Sequence, residues 1–333
     1  MEKNRLAPIV IFCYTRLDLL KKTVSALLKN KEAAESEVFF YSDGGKDELT
    51  WKQVNKVRKY LSTLRGFGKV TIVEQKENVR LNANLIQGIT EVVNQFGKVI
   101  VVEDDIVVSR YFLSYMNRAL DHYQDRKEVM TIAGFNPCKY PKDFPETFCM
   151  RLAMVWGWGT WKDRWEKYRY FDRKEEALSL LNKEDKKNIE FGGAWRVLDH
   201  LNLSPISWDT CLYISLYLEK SVSVFPVKSL TRHIGKNGTH YACSFWGKLL
   251  HHVPFENVEF WQRKEDIKLT DDTRQNMEAE NVFRDYWLHF EYNTLLLRII
   301  QKILQFGGVN FYYWVRKSYQ KLLKIEEAEN NGK

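Results

Sequence analysis

Cysteine is scarce in this chain of 333 residues. The five present, Cys13, Cys138, Cys149, Cys211 and Cys243, are odd in number and show no CxxC spacing. That pattern argues against a disulfide scaffold or a zinc site and fits a reducing cytoplasm. Long apolar runs are missing too. Near the start only Ile9–Tyr14 is continuously apolar, too short for a signal-peptide core or a membrane span, and no run of spanning length follows. Glycine is absent before Gly44, so no Gly-rich phosphate loop follows the first apolar run. No zinc-finger, RRM or KH pattern occurs, which argues against nucleic acid as the main partner. There is no internal repeat, no low-complexity linker and no persuasive Ser-His-Asp or Cys-His arrangement.

What is present is ordinary globular composition with room for one large domain or two modest ones. The net charge of +8 favours nucleotides, anionic lipid or nucleic acid. Aromatics reach 14%, with 11 Trp, and concentrate in the second half. Such rings suit sugar faces and also fill cores.

The first half alternates strand and helix signals. Strands are expected at Ile9–Tyr14, Val38–Tyr41, Val70–Val73, Val99–Val102 and Met130–Ala133. Helices are expected at Leu17–Leu28, Leu49–Leu64, Asn82–Phe96, stopped by Gly97, and Tyr111–Tyr123. Repeated β-α units predict an α/β fold, a mostly parallel sheet with helices on both faces. After Pro137 the pattern changes: Phe148–Ala153 reads as a strand, Trp161–Tyr168 and Trp208–Leu218 as helices, Val222–Phe225 as extended and Thr231–Tyr241 as a Gly-containing loop. Residues 282–325 carry seven Lys/Arg against two acids, with apolar and aromatic residues at helical spacing. This tail reads as a C-terminal helical extension, lying either on the inner membrane face or against the protein.

The most informative stretch is KVIVVEDDIVVS, Lys98–Ser109. An apolar strand runs into Glu103, Asp104 and Asp105, three carboxylates that repel one another and resist burial unless a cation or a hydrogen-bond donor compensates. Strand alternation would put Glu103 and Asp105 on one face and Asp104 on the other. The carboxyl end of a central strand is where open α/β sheets bind ligands, and a divalent cation holding a nucleotide diphosphate is the simplest compensating partner.

Five motifs in order, over about Pro8 to Tyr241, resemble GT-A-fold glycosyltransferases, and most closely the N-acetylglucosaminyltransferase I family and its bacterial polysaccharide-cluster relatives. The resemblance implies a Rossmann-like nucleotide-diphospho-sugar transferase fold. It places Tyr14 and Arg16 of FCYTR against the nucleotide, Asp43 of YSDGG on the uracil edge, and Asn78, Arg80 and Asn84 of NVRLNANLIQG on ribose or phosphate. Asn82 reads as an N-cap. The resemblance sets Glu103 and Asp104 on ribose and donor sugar, and Asp105 on Mn²⁺ or Mg²⁺. It adds the Gly/Trp-rich turn WGWGTW, with Trp158 at the donor, and Asp209 of SWD as general base, although Thr210 and Cys211 stand where the family has a second Asp-Trp pair. Asp163, Glu166 and Glu219 are the alternative bases. A lid, KSLTRHIGKNGTHY, supplies His233, with Arg232, Lys236 and His240 nearby.

The domain layout expected is a catalytic domain over 1–245, divided into a nucleotide-sugar half (1–135) and an acceptor half (136–245), a connection over 246–281, and the tail. The function implied is metal-dependent, inverting transfer from a nucleotide sugar, a UDP-sugar, to a hydroxyl of a glycan acceptor, which is lipid-linked if the tail meets the membrane. The location implied is cytoplasmic, peripheral at the inner face. Two rivals are a non-catalytic nucleotide-sugar or glycan-binding protein on the same fold, and a sugar nucleotidyltransferase, which the glycine-free first 43 residues disfavour.

Overall fold

A computed structural model describes residues 5–235, 260–261 and 266–291, with the side chains of 288–291 excepted. Within this range an eight-stranded sheet has the order β3-β2-β1-β4-β8-β6-β9-β7. The strands are β1 (Ile9–Cys13), β2 (Glu37–Ser42), β3 (Lys69–Glu74), β4 (Lys98–Glu103), β6 (Val129–Ala133), β7 (Thr147–Met150), β8 (Trp158–Trp161) and β9 (Val222–Pro226). A separate pair joins β5 (Ile106–Val108) to β10 (Thr231–His233). The first four strands in the order are parallel, β8 and β7 run antiparallel to their neighbours, and β6 pairs parallel with β9.

The helices follow the apolar periodicity: α1 (Leu17–Leu27), α2 (Glu48–Ser62), α3 (Arg80–Phe96), α4 (Phe112–His122), the short α5 (Lys162–Trp165), α6 (Lys174–Ser179) and α7 (Lys183–Ile189), and α8 (Trp208–Leu218). A further helix spans Met277–Glu291. Asp47 caps α2 through a capping box with Thr50, and Gly97 ends α3 at φ 79°.

Strand alternation distributes the core between two layers. Ile9, Ile11, Cys13, Val38, Phe40, Ile100 and Val102 join the apolar faces of α1, α2 and α4 in one cluster. On the opposite face α3 lies over Phe12 and Tyr41, so closely that a Cβ on Gly88 would sit 2.8 Å from the Phe12 ring and 3.0 Å from that of Tyr41. Central strand β4 is buried from Val99 to Val102, as a strand covered on both faces must be.

The chain leaves β1 for β2 and β3, then returns to place β4 on the other side of β1. That reversal makes a crevice at the carboxyl ends of β1 and β4. The register sets Phe12 beside Glu103 and Cys13 beside Ser42, so the segments after β1, β2 and β4 emerge at one edge.

Three sequence expectations change. Thr231–His233 is a strand rather than part of a loop, since its backbone pairs with Ile106–Val108. Trp158–Trp161 is a strand rather than part of a turn, inserted between β4 and β6. Thr147–Met150 ends earlier than the expected Phe148–Ala153. Between α5 and α8 lie α6, α7 and a 3₁₀ turn over Phe191–Gly193, where Gly192 turns at φ 69°.

The chain divides into two compact units, residues 1–242 with 253–285, and residues 243–252 with 286–333. In the first, the described part of the expected connection lies against the sheet. Thr147 Oγ1 donates to Lys268 O at 3.0 Å and accepts from Thr270 N at 2.8 Å. Of the second, 286–291 are described. Lys236, Gly238, His240, Cys243 and the tail beyond 291 lie outside the described residues. Among the described residues no helix is long and apolar enough to cross a membrane.

Candidate active site

The acidic triplet sits at the crevice. Glu103 is the last residue of β4, and Asp104-Asp105 form the turn into β5. Because alternation stops at that turn, Asp104 and Asp105 are reached by one side chain rather than facing opposite ways. That side chain is Arg16, at the N-cap of α1. Its Nη2 and Nε donate to the two Asp104 oxygens, Nε at 3.3 Å, and its Nη1 donates to Asp105 Oδ2 at 2.6 Å. The compensating cation that the buried carboxylates require is therefore a guanidinium from the chain itself.

Further contacts fix the turn. Thr23 Oγ1 donates to Asp104 O at 2.9 Å, and Ile234 N donates to Asp105 O at 2.9 Å. His233 Nε2 lies 3.3 Å from Asp105 Oδ2. The His233 ring stacks on Trp156 at 4.7 Å and 23°. Thr231 Oγ1 donates to Trp156 O at 2.6 Å, so β10 and the Trp156-Gly157 turn hold the imidazole together. A Cβ on Gly235 would fall 2.3 Å from Asp105 Oδ2, so only glycine lets the chain pass there.

The acids differ in their electrostatics. Burial, then the negative charges of Asp105, Asp104 and Asp209, push the Glu103 carboxyl up. Burial raises Asp104 to about 6 against the pull of Arg16. Burial also pushes Asp105 upward, but the His233 hydrogen bond and the Arg16 charge outweigh it and hold its carboxyl below the usual range.

Asp209 lies in the first turn of α8 and acts electrostatically on Glu103. Ser207 Oγ and Thr210 N, the latter at 2.8 Å, donate to its Oδ1. The alternative bases are otherwise disposed: Asp163 pairs with Lys127 and Arg164, Glu219 pairs with Arg169 and Lys167, and Glu166 is an exposed C-cap.

The second motif has a structural role. The Asp43 carboxylate accepts from Gly44 N at 2.8 Å, Val79 N at 2.9 Å and Asn78 Nδ2 at 3.0 Å, with the Arg80 N–H a further donor. It thereby caps the start of α3 from a distant strand. Burial raises the Asp43 carboxyl against the pull of these backbone bonds. Arg80 is exposed and begins α3 at φ 68°. The Tyr14 hydroxyl has no hydrogen-bond partner among the described residues, while its backbone N–H serves Asp104.

Two expected donor contacts are buried in the protein. Asn84 is 2% exposed, with its amide spent on Tyr41 O and Gln75. Trp158 is 0% exposed and stacked on Trp208 at 5.9 Å, which makes it a core residue. The half-buried ring beside His233 is Trp156, two positions earlier. Gly157, between the two rings, turns at φ 76° immediately before β8.

Asn82 does not cap α3; its N-cap is Val79. Asn82 Nδ2 instead donates to Ile206 O at 2.8 Å and Tyr170 Oη at 3.1 Å, and Oδ1 accepts from Trp208 N at 3.3 Å. It ties α3 to the segment bearing Asp209.

An acidic turn at the switch point of a mostly parallel sheet, facing a helix-borne carboxylate, is the arrangement of a GT-A-like α/β fold. Residues 9–180, just over half of the chain, match the profile of glycosyl transferase family 2, and the chain belongs to that family. No curated protein matches it in sequence. Among solved structures it is similar to the mannosyltransferase PcManGT from Pyrobaculum calidifontis, determined with GDP-Man and Mn²⁺. The identity is 12%, over 65% of this chain and 70% of that one, with a TM-score of 0.37. It is also similar to residues 1–349 of S. aureus TarS, at 13% identity over 67% of this chain and 59% of that one, with a TM-score of 0.38. Likeness at this level transfers no donor, metal or acceptor to the chain.

Proposed function

We propose that this chain transfers a sugar from a nucleotide donor, a UDP-sugar, to a hydroxyl of a glycan acceptor with inversion at the anomeric carbon. The observation that carries the reading is the meeting of Glu103, Asp104 and Asp105 at the carboxyl end of β4 with Asp209 across the crevice. UDP and inversion rest on the motif likeness to the N-acetylglucosaminyltransferase I family.

A single displacement needs the acceptor oxygen deprotonated as the bond to the diphosphate breaks. Asp209 is the candidate base. Ser207 and Thr210 hold its Oδ1, which leaves Oδ2 for a proton. Such a base contributes about 10²–10⁴-fold. Trp156 and His233 present an aromatic wall beside Asp105.

The donor set fits a hard divalent cation completed by substrate. Among the described residues there is no cluster of three or more ligands, but Mg²⁺-like ions bind through one or two carboxylates plus phosphates and water, and Asp105 offers one beside His233. When bound, Mn²⁺ or Mg²⁺ supplies charge neutralisation for the leaving diphosphate. The acceptor, and any contact of the 282–325 tail with an anionic membrane, belong to the same proposal.

The test is release of UDP from a panel of UDP-sugars, with Mn²⁺ or EDTA, comparing native protein with Asp105→Ala. Metal-dependent release lost in the variant is expected. Absence of both release and metal-dependent UDP binding in the native protein would overturn the UDP-sugar reading and favour another nucleotide or a binding protein.

A further inference from the structure

Asp105 Oδ2 is enclosed on three sides. Arg16 Nη1 stands 2.6 Å away and His233 Nε2 3.3 Å away, and Gly235 passes so close that an added Cβ would fall 2.3 Å from the oxygen. A divalent cation coordinates a carboxylate oxygen at about 2.0–2.6 Å. A cation seated on this oxygen would stand about 4 Å from a guanidinium still bonded to it, close enough in a largely buried site for the two positive groups to repel strongly.

Occupation of that oxygen therefore favours release of a neighbour, and the three differ in mobility. His233 is held by strand pairing with Ile106 and by its stack on Trp156. Gly235 follows Ile234, whose N–H is bonded to Asp105 O. The Arg16 side chain is held by the two acids alone, and its backbone carbonyl accepts from Leu20 N at 3.0 Å. Its side chain is 35% exposed, against 3% for Asp104 and 7% for Asp105. It is the group free to swing out.

We propose that Arg16 is a built-in counterion that competes with the divalent metal for Asp105, holding the acidic pair closed until metal and nucleotide arrive together. The inference rests on the cation reading above. Without nucleotide, the released guanidinium gains only water, so the closed state persists and free metal binds weakly. With a diphosphate present, the guanidinium gains an anionic partner of matching fork geometry. Metal and nucleotide then bind cooperatively, each raising the affinity for the other by one factor. Arg16 on this account is a positioning residue that sets metal occupancy.

The experiment is Mn²⁺ titration of the whole protein, followed by the electron paramagnetic resonance signal of free Mn²⁺, for native protein, Arg16→Gln, Arg16→Lys and Asp105→Ala. Each is measured with and without UDP and checked by thermal unfolding. If the closed pair leaves about a tenth of molecules competent, Arg16→Gln binds Mn²⁺ roughly ten-fold more tightly than native without UDP. The gain on adding UDP is correspondingly smaller in the variant. Arg16→Lys, which keeps the charge but cannot bridge both acids, falls between, and Asp105→Ala does not bind. Equal or weaker Mn²⁺ binding by a folded Arg16→Gln overturns the proposal and leaves the cation reading intact. Should Arg16→Gln fail to fold, unchanged Mn²⁺ affinity in Arg16→Lys overturns it. No Mn²⁺ bound by native protein with or without UDP overturns both.

Discussion

Asn82→Ala tests the link between the two halves of the candidate site. The side chain makes three hydrogen bonds, to Ile206 O at 2.8 Å, Tyr170 Oη at 3.1 Å and from Trp208 N at 3.3 Å. The side chain of Ser207, the N-cap of α8, accepts no backbone N–H of the first turn, and Asn82 Oδ1 serves the Trp208 N–H. A hydrogen bond of this kind contributes about 0.5–1.5 kcal/mol net, and the longest of the three is discounted. The loss is thus about 1–3 kcal/mol, which, at an unfolding entropy of about 2.1 cal/mol/K per residue, lowers Tm by about 1–4 °C in a chain of this size. The sharper expectation concerns Asp209, one residue beyond Trp208. Released from α3, its carboxylate drifts from the crevice, and kcat falls by up to about 10²-fold while donor affinity stays near native, since a misplacement of about 1 Å is enough for such a loss. Differential scanning calorimetry and steady-state UDP release check the two parts. A native Tm would refute the hydrogen-bond reasoning. A native kcat with a lowered Tm would refute the placement of Asp209 as base.

Two further outcomes follow from packing and burial. Gly88→Ala should lose about 0.5–2 kcal/mol in denaturant unfolding, because the added methyl meets the Phe12 and Tyr41 rings and the overpacking outweighs the helix propensity gained; a more stable variant would show that α3 has room. Cys13, Cys138, Cys149 and Cys211 are buried, and burial raises each thiol, Cys138 and Cys149 to about 12 and Cys211 to about 11. The reactive thiolate is populated only above those values, so native Cys243→Ser protein at pH 8 should show no fast reaction with a thiol reagent until unfolded; one fast equivalent would refute the burial.

Much of the nucleotide-binding half was legible along the chain. Apolar runs ending in Ser42-Asp43-Gly44 and Glu103-Asp104-Asp105 marked both the strands and the edge where they finish, because a strand covered on both faces must be continuously apolar and must end where polar groups can be satisfied. The second half was less legible. Trp158–Trp161 is short and glycine-containing, and it becomes a strand because β4 and β6 offer it two ladders. Thr231–His233 becomes a strand because Ile106–Val108 lies unpaired beside it. No local propensity reports the presence of a partner strand.

Local order along the chain was enough to establish the α/β class, the acidic turn and the helix that bears Asp209, since periodicity and the cost of burying like charges are properties of neighbours in sequence. Folding alone decided which group answers each charge. Arg16 reaches Asp104 and Asp105 across 88 and 89 positions, and Asn82 reaches Ile206 across 124. It also decided that Trp158 is core and Trp156 borders the site. These contacts depend on the register of β1 against β4 and on the packing of α3 and β10 around them. A buried charge is satisfied by whatever the fold brings within about 3 Å.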